Sequence, residues 1–297
     1  FLAPILTRLF NNAINENRYP DALKTTKIIE LYKSKNKTLP INYRPISLLP
    51  IIAKIFDTII NNQLMKHLTE NNILSPTQYA FRPNSNTTTA IQAIVNTLHS
   101  HTSKHKPTLA IYVDLSKAYD TISHDKMIHK LKHEFNFTPD TLLFFQTYFQ
   151  NRRQSVHTQH SQSDMQTITH GTPQGSTLST TLFILYINDI YSTTQHSTAY
   201  TYADDLTLIT TADTTSELQQ NAQTDINNII NYLHNNNLVP NATKTTFTPF
   251  YPHNEAVSFH INNTALVQEK AVKLLGIHID NTLTYHTHIS KLITKLQ

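Results

Sequence analysis

The chain has 297 residues, long enough for one large domain or two small ones, with 39% hydrophobic residues and a formal net charge of +4. It contains no cysteine, which excludes disulfide bonds and cysteine-ligated zinc. No apolar run reaches the roughly 18 residues that suggest a membrane span, so no membrane partner is expected. The first residue is Phe rather than Met, and we therefore expect a piece of a longer polypeptide.

Hydrophobic spacing predicts alternating groups of helices and strands along the chain. The stretch up to about residue 40 is polar, and no helix or strand is predicted in it. The predicted helices lie at Pro50–Leu64, Thr87–Leu98, Asp125–Phe135, Thr141–Phe149, Leu178–Ile190 and Ser216–Asn235. The predicted strands are Leu109–Val113, Ser155–Thr158 with Met165–Thr169 as a hairpin, Ala199–Ala203 with Leu206–Ile209 as another, Thr245–Tyr251, Val257–Ile261 and Lys273–Ile279.

Glycine is rare in this chain. Only Gly171, Gly175 and Gly276 are present. In so glycine-poor a chain, we expect each of them to lie where a side chain cannot be accommodated.

Two acidic positions stand out because each follows an apolar strand. Asp114 ends the predicted strand Leu109–Val113, and Asp204 and Asp205 occupy the tip of a predicted hairpin. Paired carboxylates in an apolar setting repel each other, and hard divalent cations such as Mg²⁺ relieve that repulsion. An acidic pair is also ordinary turn chemistry, so the Asp-Asp dipeptide alone decides nothing.

Three longer motifs give those acids a context. Val113-Asp114-Leu115-Ser116-Lys117-Ala118-Tyr119-Asp120, Gly171-Thr172-Pro173-Gln174-Gly175-Ser176 and Tyr202-Ala203-Asp204-Asp205 resemble, in this order, the three central palm motifs of reverse transcriptases. Asn42-Tyr43-Arg44-Pro45-Ile46-Ser47-Leu48-Leu49 and Gln78-Tyr79-Ala80-Phe81-Arg82 are similar to fingers motifs of the non-LTR, LINE or jockey-like, retrotransposon enzymes. Lys244 falls in a match to the fourth palm motif, and Leu274-Leu275-Gly276-Ile277 in a match to the primer-grip hairpin.

The resemblance implies an α+β, right-hand polymerase fold. We expect an antiparallel palm sheet backed by helices, a helical fingers region, and a thumb that is absent or truncated. The implied division is a fingers-rich part at 1–107 and a palm with the primer-grip hairpin at 108–297, within one reverse transcriptase domain spanning about 20–290.

The resemblance also assigns the chemistry. Asp114, Asp204 and Asp205 would hold two Mg²⁺ ions, and Lys244 would protonate or neutralise departing pyrophosphate. Tyr119 would lie beneath the incoming sugar and exclude a 2′-hydroxyl, and Arg82 would pair with the triphosphate. The remaining substrate contacts would be Gln174, Gly175, Leu115, Tyr202 and Ala203, and the nucleic-acid contacts Arg44, Lys54 and Gly276.

The implied function is Mg²⁺-dependent, RNA-templated DNA synthesis in retrotransposition, with an RNA template, a DNA primer and deoxynucleoside triphosphates as partners. Two alternatives stay open: an RNA-dependent RNA polymerase, and an inactive remnant that only binds RNA. We expect an intracellular protein that acts in the nucleus at the site of integration. The sequence does not indicate an oligomeric state.

Overall fold

A computed structural model describes residues 2–34, 36–250 and 256–296. The helices are α1 (Ala3–Asn15), α2 (Ile51–Glu70), α3 (Thr87–Thr102), α4 (His124–His133), α5 (Pro139–Phe149), α6 (Thr177–Tyr186), α7 (Thr215–Asn235) and α8 (His286–Leu296). The strands are β1 (Thr25–Tyr32), β2 (Tyr43–Leu48), β3 (Thr108–Val113), β4 (Leu115–Ser116), β5 (Arg153–His157), β6 (Gln166–Thr167), β7 (Ser197–Tyr202), β8 (Asp205–Thr211), β9 (Val239–Pro240), β10 (Thr246–Pro249), β11 (His260–Ile261), β12 (Thr264–Ala265), β13 (Val267–Gln268), β14 (Ala271–Leu274) and β15 (Ile277–Asp280). Short 3-10 helices lie at Asp21–Leu23, Pro40–Asn42, Ala118–Asp120 and Ile190–Thr193.

The chain forms two compact units, each built from two segments. The first unit comprises the chain up to Ile73 together with Tyr119–Tyr186, and the second comprises Leu74–Ala118 and the chain from Ile187 onward. These limits describe contacts, whereas the division predicted between residues 107 and 108 is functional and stays a prediction.

The first unit contains a four-stranded sheet in the order β2-β1-β5-β6. Strand β1 pairs antiparallel with β2 and parallel with β5, and α2 packs against α6. Stacked rings of Phe10 and Phe56, with Tyr19 nearby, fix α1 against α2. The expectation of a helical N-terminal part was incomplete, because α1, β1 and β2 were not predicted.

The second unit is organised around a five-stranded sheet in the order β13-β10-β3-β8-β7. Every residue of the central strand β3 is buried, so both faces of the sheet are covered. Helix α3 packs Ile91, Ile94 and Leu98 into a core shared with the sheet, and α7 also contacts β3, β7 and β8. The sheet is antiparallel as predicted except at its edge, where the short strand β13 runs parallel to β10.

Local sequence explains where two helices of the second unit, α3 and α7, begin. Asn86 and Thr89 form a reciprocal capping box at the start of α3. The side chain of Thr214 accepts the backbone N–H of Glu217 at the start of α7. Both helices therefore begin within a residue of the predicted position, and each then places an apolar stripe on the sheet.

Several predicted elements were wrong in detail, among them the strand predicted at Val257–Ile261, of which only His260–Ile261 forms a strand. The predicted strand Lys273–Ile279 is a hairpin, because Leu275 and Gly276 both have positive φ and turn the chain between β14 and β15. The helix predicted to run to Ile190 ends at Tyr186. Tyr251, at the end of another predicted strand, lies outside the described residues.

The α+β class is confirmed. Across the residues that the structure describes, no helix is both long enough and apolar enough to cross a membrane.

Candidate active site

The predicted catalytic turn is a tight hairpin between β7 and β8. Tyr202 and Asp205 are paired across the two strands, and Ala203 and Asp204 form the two-residue connection. Ala203 is buried and has a φ of 54°, a left-handed conformation that the turn imposes on a residue with a side chain. Asp204 and Asp205 are exposed at the tip.

Asp114 lies beside this tip because of the sheet register. Val113 pairs with Leu206, so the next residue of each strand, Asp114 and Asp205, would stand opposite each other. Two hydrogen bonds hold the Asp114 backbone in place: its N–H donates to the Thr245 hydroxyl at 3.2 Å, and its carbonyl accepts the N–H of Asn241 at 2.8 Å. The end of one strand is thereby fixed by the segment before β10.

The three carboxylates influence one another electrostatically. The pKa of Asp205 is raised to about 6, first by partial removal from water and then by the negative charges of Asp204 and Asp114. A nearby cation would stabilise the ionised form of a carboxylate in this environment. The site therefore concentrates negative charge at the end of the sheet.

The residues present suit a divalent cation, although they do not form a ready-made cage. In the described part of the chain, no group of three His, Asp or Glu side chains is arranged to hold a metal ion. Asp114 Oδ2 is nevertheless buried without a hydrogen-bond partner, and its chemistry is that of a hard oxygen ligand. An orphaned carboxylate oxygen beside two further carboxylates fits Mg²⁺ as a ligand set.

Lys244 is the cation nearest to that oxygen among the described ion pairs. Its Nζ lies 3.6 Å from Asp114 Oδ2, and both side chains keep part of their surface in water. The turn Asn241–Lys244 carries it, closed by the Lys244 N–H donating to the Asn241 carbonyl. Lys244 thus offsets part of the acidic charge, and its predicted role toward pyrophosphate stays a prediction.

Arg82 organises the loop on which it lies. Its Nη1 donates to the carbonyls of Ser75 and Gln78. The Gln78 side chain accepts the N–H of Ala80, and Tyr79 donates its N–H to the Thr201 carbonyl on β7. Both of these bonds from Arg82 go to backbone carbonyls of its own loop. Its contact with triphosphate stays a prediction.

Two of the predicted nucleotide contacts, Tyr119 and Gln174, belong to the first unit. Tyr119 lies in the short helix Ala118–Asp120, with its ring 4.5 Å from that of Phe183. The Gln174 side chain donates from Nε2 to Asp120 at 2.8 Å, a partner that sequence reasoning missed. The loop that follows is therefore tied to the residue next to Tyr119.

Gly175 is required for a reason internal to the chain. Its φ is +125°, and a Cβ atom there would come within 2.9 Å of the Ser47 carbonyl oxygen on β2. The Ser47 N–H also donates to the Gln174 carbonyl at 2.7 Å. The expectation that side chains are excluded at this glycine is confirmed, and β2 is the group that excludes them.

The structure shows where the other predicted contacts lie, and their roles stay predictions. Arg44 is exposed on β2 opposite Leu31, and Lys54 is exposed in the first turn of α2. Leu115 lies on β4 and pairs with Pro240, while Gly276 lies in the β14–β15 turn. The second unit thus contains the carboxylates, Lys244, Arg82, Leu115 and Gly276, and the first contains Tyr119, Gln174, Gly175, Arg44 and Lys54.

The fold is that of a known class of nucleic-acid polymerase. A structure of apo telomerase from Candida tropicalis matches 89% of this chain and 54% of its own with a TM-score of 0.60 at 12% identity. That likeness shows the polymerase fold alone.

The chain belongs to the reverse transcriptase (RNA-dependent DNA polymerase) family, whose sequence model matches residues 33–279. It is 26% identical over 97% of its length to the RNA-directed DNA polymerase from mobile element jockey of Drosophila melanogaster, of which it covers 32%. It is also 26% identical over 97% of its length to the jockey enzyme of Drosophila funebris, again covering 32%. The chain therefore spans about a third of the length of these curated relatives.

Proposed function

We propose that this chain carries out RNA-templated DNA synthesis as part of a non-LTR retrotransposon protein. The observation that supports this most directly is the set of three carboxylates at the ends of neighbouring antiparallel strands, with the pKa of Asp205 raised by burial and then by the charges of the other two. A site of this kind suits nucleotidyl transfer, in which a primer 3′-hydroxyl attacks the α-phosphate of a nucleoside triphosphate and pyrophosphate leaves.

The proposed metal ligands are Asp114, Asp204 and Asp205, which would hold two Mg²⁺ ions. When bound, Mg²⁺ activates the attacking hydroxyl and neutralises charge on the phosphates. The orphaned Oδ2 of Asp114 supports this assignment. Because the pKa of Asp205 is raised, a nearby cation would stabilise its ionised form.

The other groups of the chain would bind and orient substrate. Tyr119 excludes a ribose 2′-hydroxyl by its ring, and Gln174 contacts the nucleotide near its 3′ side. Lys244 donates a proton from Nζ to the departing pyrophosphate, and Arg82 binds triphosphate oxygens through its guanidinium. The RNA template and DNA primer would contact Arg44, Lys54 and Gly276.

Primer extension on an RNA template tests the proposal. The wild-type chain should extend the primer, and Asp204→Asn should not, because the substitution removes a proposed metal ligand from the tip of the hairpin. Asp213→Asn is the matched control, since it removes an exposed carboxylate that pairs with Lys106 instead. Equal extension by wild type and Asp204→Asn would leave only the RNA-binding alternative.

Supplying ribonucleotides in the same assay separates the two polymerase alternatives. A reverse transcriptase with Tyr119 in place should incorporate deoxynucleotides and reject ribonucleotides. Efficient ribonucleotide incorporation would favour the RNA-dependent RNA polymerase. We also propose a nuclear location at the site of integration, which fluorescence microscopy of the tagged full-length protein would check.

A further inference from the structure

A buried hydrogen-bond network in the first unit connects helix α2 to the loop that carries Gln174 and Gly175. Asp57, in the middle of α2, has no exposed surface. Its Oδ1 accepts the Tyr19 hydroxyl at 2.8 Å, and its Oδ2 accepts the Ser176 hydroxyl at 2.5 Å. Each oxygen of one buried carboxylate therefore has its own donor.

A buried cation also contributes to the surroundings of this carboxylate. Arg152 is also fully buried, and its guanidinium lies over the Tyr148 ring at 4.0 Å and the Tyr19 ring at 5.2 Å. Burial raises the pKa of Asp57, and the hydrogen bonds from Ser176 and Tyr19, followed by the positive charge of Arg152, lower it by less. Apolar residues of similar size often stabilise a core at least as well as a buried charged group. A buried acid at this position therefore calls for a reason beyond packing.

Ser176 gives that reason, because of where it lies. It is buried next to Gly175, and its hydroxyl oxygen also accepts the N–H of Leu178 at 3.2 Å, at the start of α6. Two further hydrogen bonds hold Gln174, which precedes Gly175. Its carbonyl accepts the Ser47 N–H, and its side chain donates to Asp120. Asp57 thus provides the bond that holds the loop at its far end.

We propose that Asp57 is a positioning residue that holds Ser176, and through it Gln174 and Gly175, in place to receive the incoming nucleotide. The proposal rests on the function proposed above. The two oxygens of the Asp57 carboxylate then have different roles. The Tyr19 side stabilises the core, and the Ser176 side fixes the loop.

That difference provides a matched pair of variants. Ser176→Ala and Tyr19→Phe each remove one hydroxyl donor from the same buried carboxylate. Both should lower the melting temperature of the chain. Only Ser176→Ala should raise the KM for deoxynucleotide, by about tenfold, with kcat changed less than threefold, since a bond to a charged acceptor is lost at the loop alone. Asp57→Asn should raise KM at least as much.

Hydrogen–deuterium exchange of the same variants gives a readout that does not require polymerase activity. The amides of Gly175–Leu178 should exchange about tenfold faster in Ser176→Ala and Asp57→Asn, and at the wild-type rate in Tyr19→Phe. An equal effect of Tyr19→Phe and Ser176→Ala on KM and exchange would overturn the proposal, as would an unchanged loop in Ser176→Ala. A wild-type chain that extends no primer would count against the proposed function, while exchange would still decide whether Asp57 holds the loop.

Discussion

The carboxylate hairpin and the Gln174–Gly175 loop are held in opposite ways. At the hairpin, the backbone ladder of β3, β7 and β8 fixes three acids whose charges repel one another, and one carboxylate oxygen has no hydrogen-bond partner. At the loop, side chains and backbone groups are bonded at Asp120, Ser47 and Asp57. Rigid strands can hold groups that need a cation, whereas a loop must be held by its own hydrogen bonds.

The largest expected effect comes from removing a charge at the hairpin. Asp114→Asn should lower the rate of primer extension on the order of 10³-fold, because electrostatic groups at a transition state have effects of this size. The fold should survive, since the backbone bonds of Asp114 to Thr245 and Asn241 are unaffected by the change. Single-turnover extension and circular dichroism measure the two outcomes, and an unfolded variant would contradict the comparison.

The next effect concerns the loop. Gly175→Ala should destabilise the chain by about 3 kcal/mol, because the residue would combine a positive φ with a contact to the Ser47 carbonyl. Gly276→Ala is the control: its φ is +94°, but its surroundings are open, so we expect about 1 kcal/mol. Urea unfolding of both variants measures the difference. Equal losses would show that backbone strain alone accounts for Gly175.

A smaller effect is expected at Lys244. Lys244→Met should reduce the rate of extension about tenfold by removing the proposed proton donor to pyrophosphate. Lys106→Met, which breaks an exposed ion pair with Asp213, should leave the rate within twofold.

The smallest expected effect is on stability against pH. The folded pKa of Asp205 is raised above its ordinary value of 3.8 to about 6, so without metal its ionised form weakens the fold above pH 6. Asp205→Asn should therefore be more stable than wild type at pH 7 by about 1 kcal/mol, a value reduced for solvent screening. The gain should disappear as pH falls from 6 to 4. Thermal unfolding in EDTA measures it, and added Mg²⁺ should reverse the order of the two proteins.

Sequence reasoning predicted the hairpin region well because its strands are apolar and end in acids. Strand β3 and the β7–β8 hairpin lie close to their predicted limits. Beyond Ile28, in contrast, the residues of β1 are exposed, so no alternating pattern indicated a strand. Helix α1, in contrast, does carry apolar residues at helical spacing, at Leu6, Leu9, Phe10 and Ala13, and this signal was missed.

The hydrogen bonds around Asp57 were not predicted, for a different reason. Asp57 is one acid within an apolar helix, and its partners Tyr19, Ser176 and Arg152 are distant in sequence. A sequence pattern records spacing along one element and cannot show which distant hydroxyl reaches a buried carboxylate. The available signal was the acid itself, placed between Phe56 and Ile60 on the face that α2 buries.

The register of β3 determines which changes in this strand would displace Asp114. Side chains alternate between the two faces of a strand, so removing a single residue between Leu109 and Val113 would turn Asp114 away from Asp205. Many substitutions within β3 would keep the acid in place. An in-frame deletion of one residue in this strand should therefore reduce primer extension more than most substitutions there, even though all three proposed metal ligands are still present.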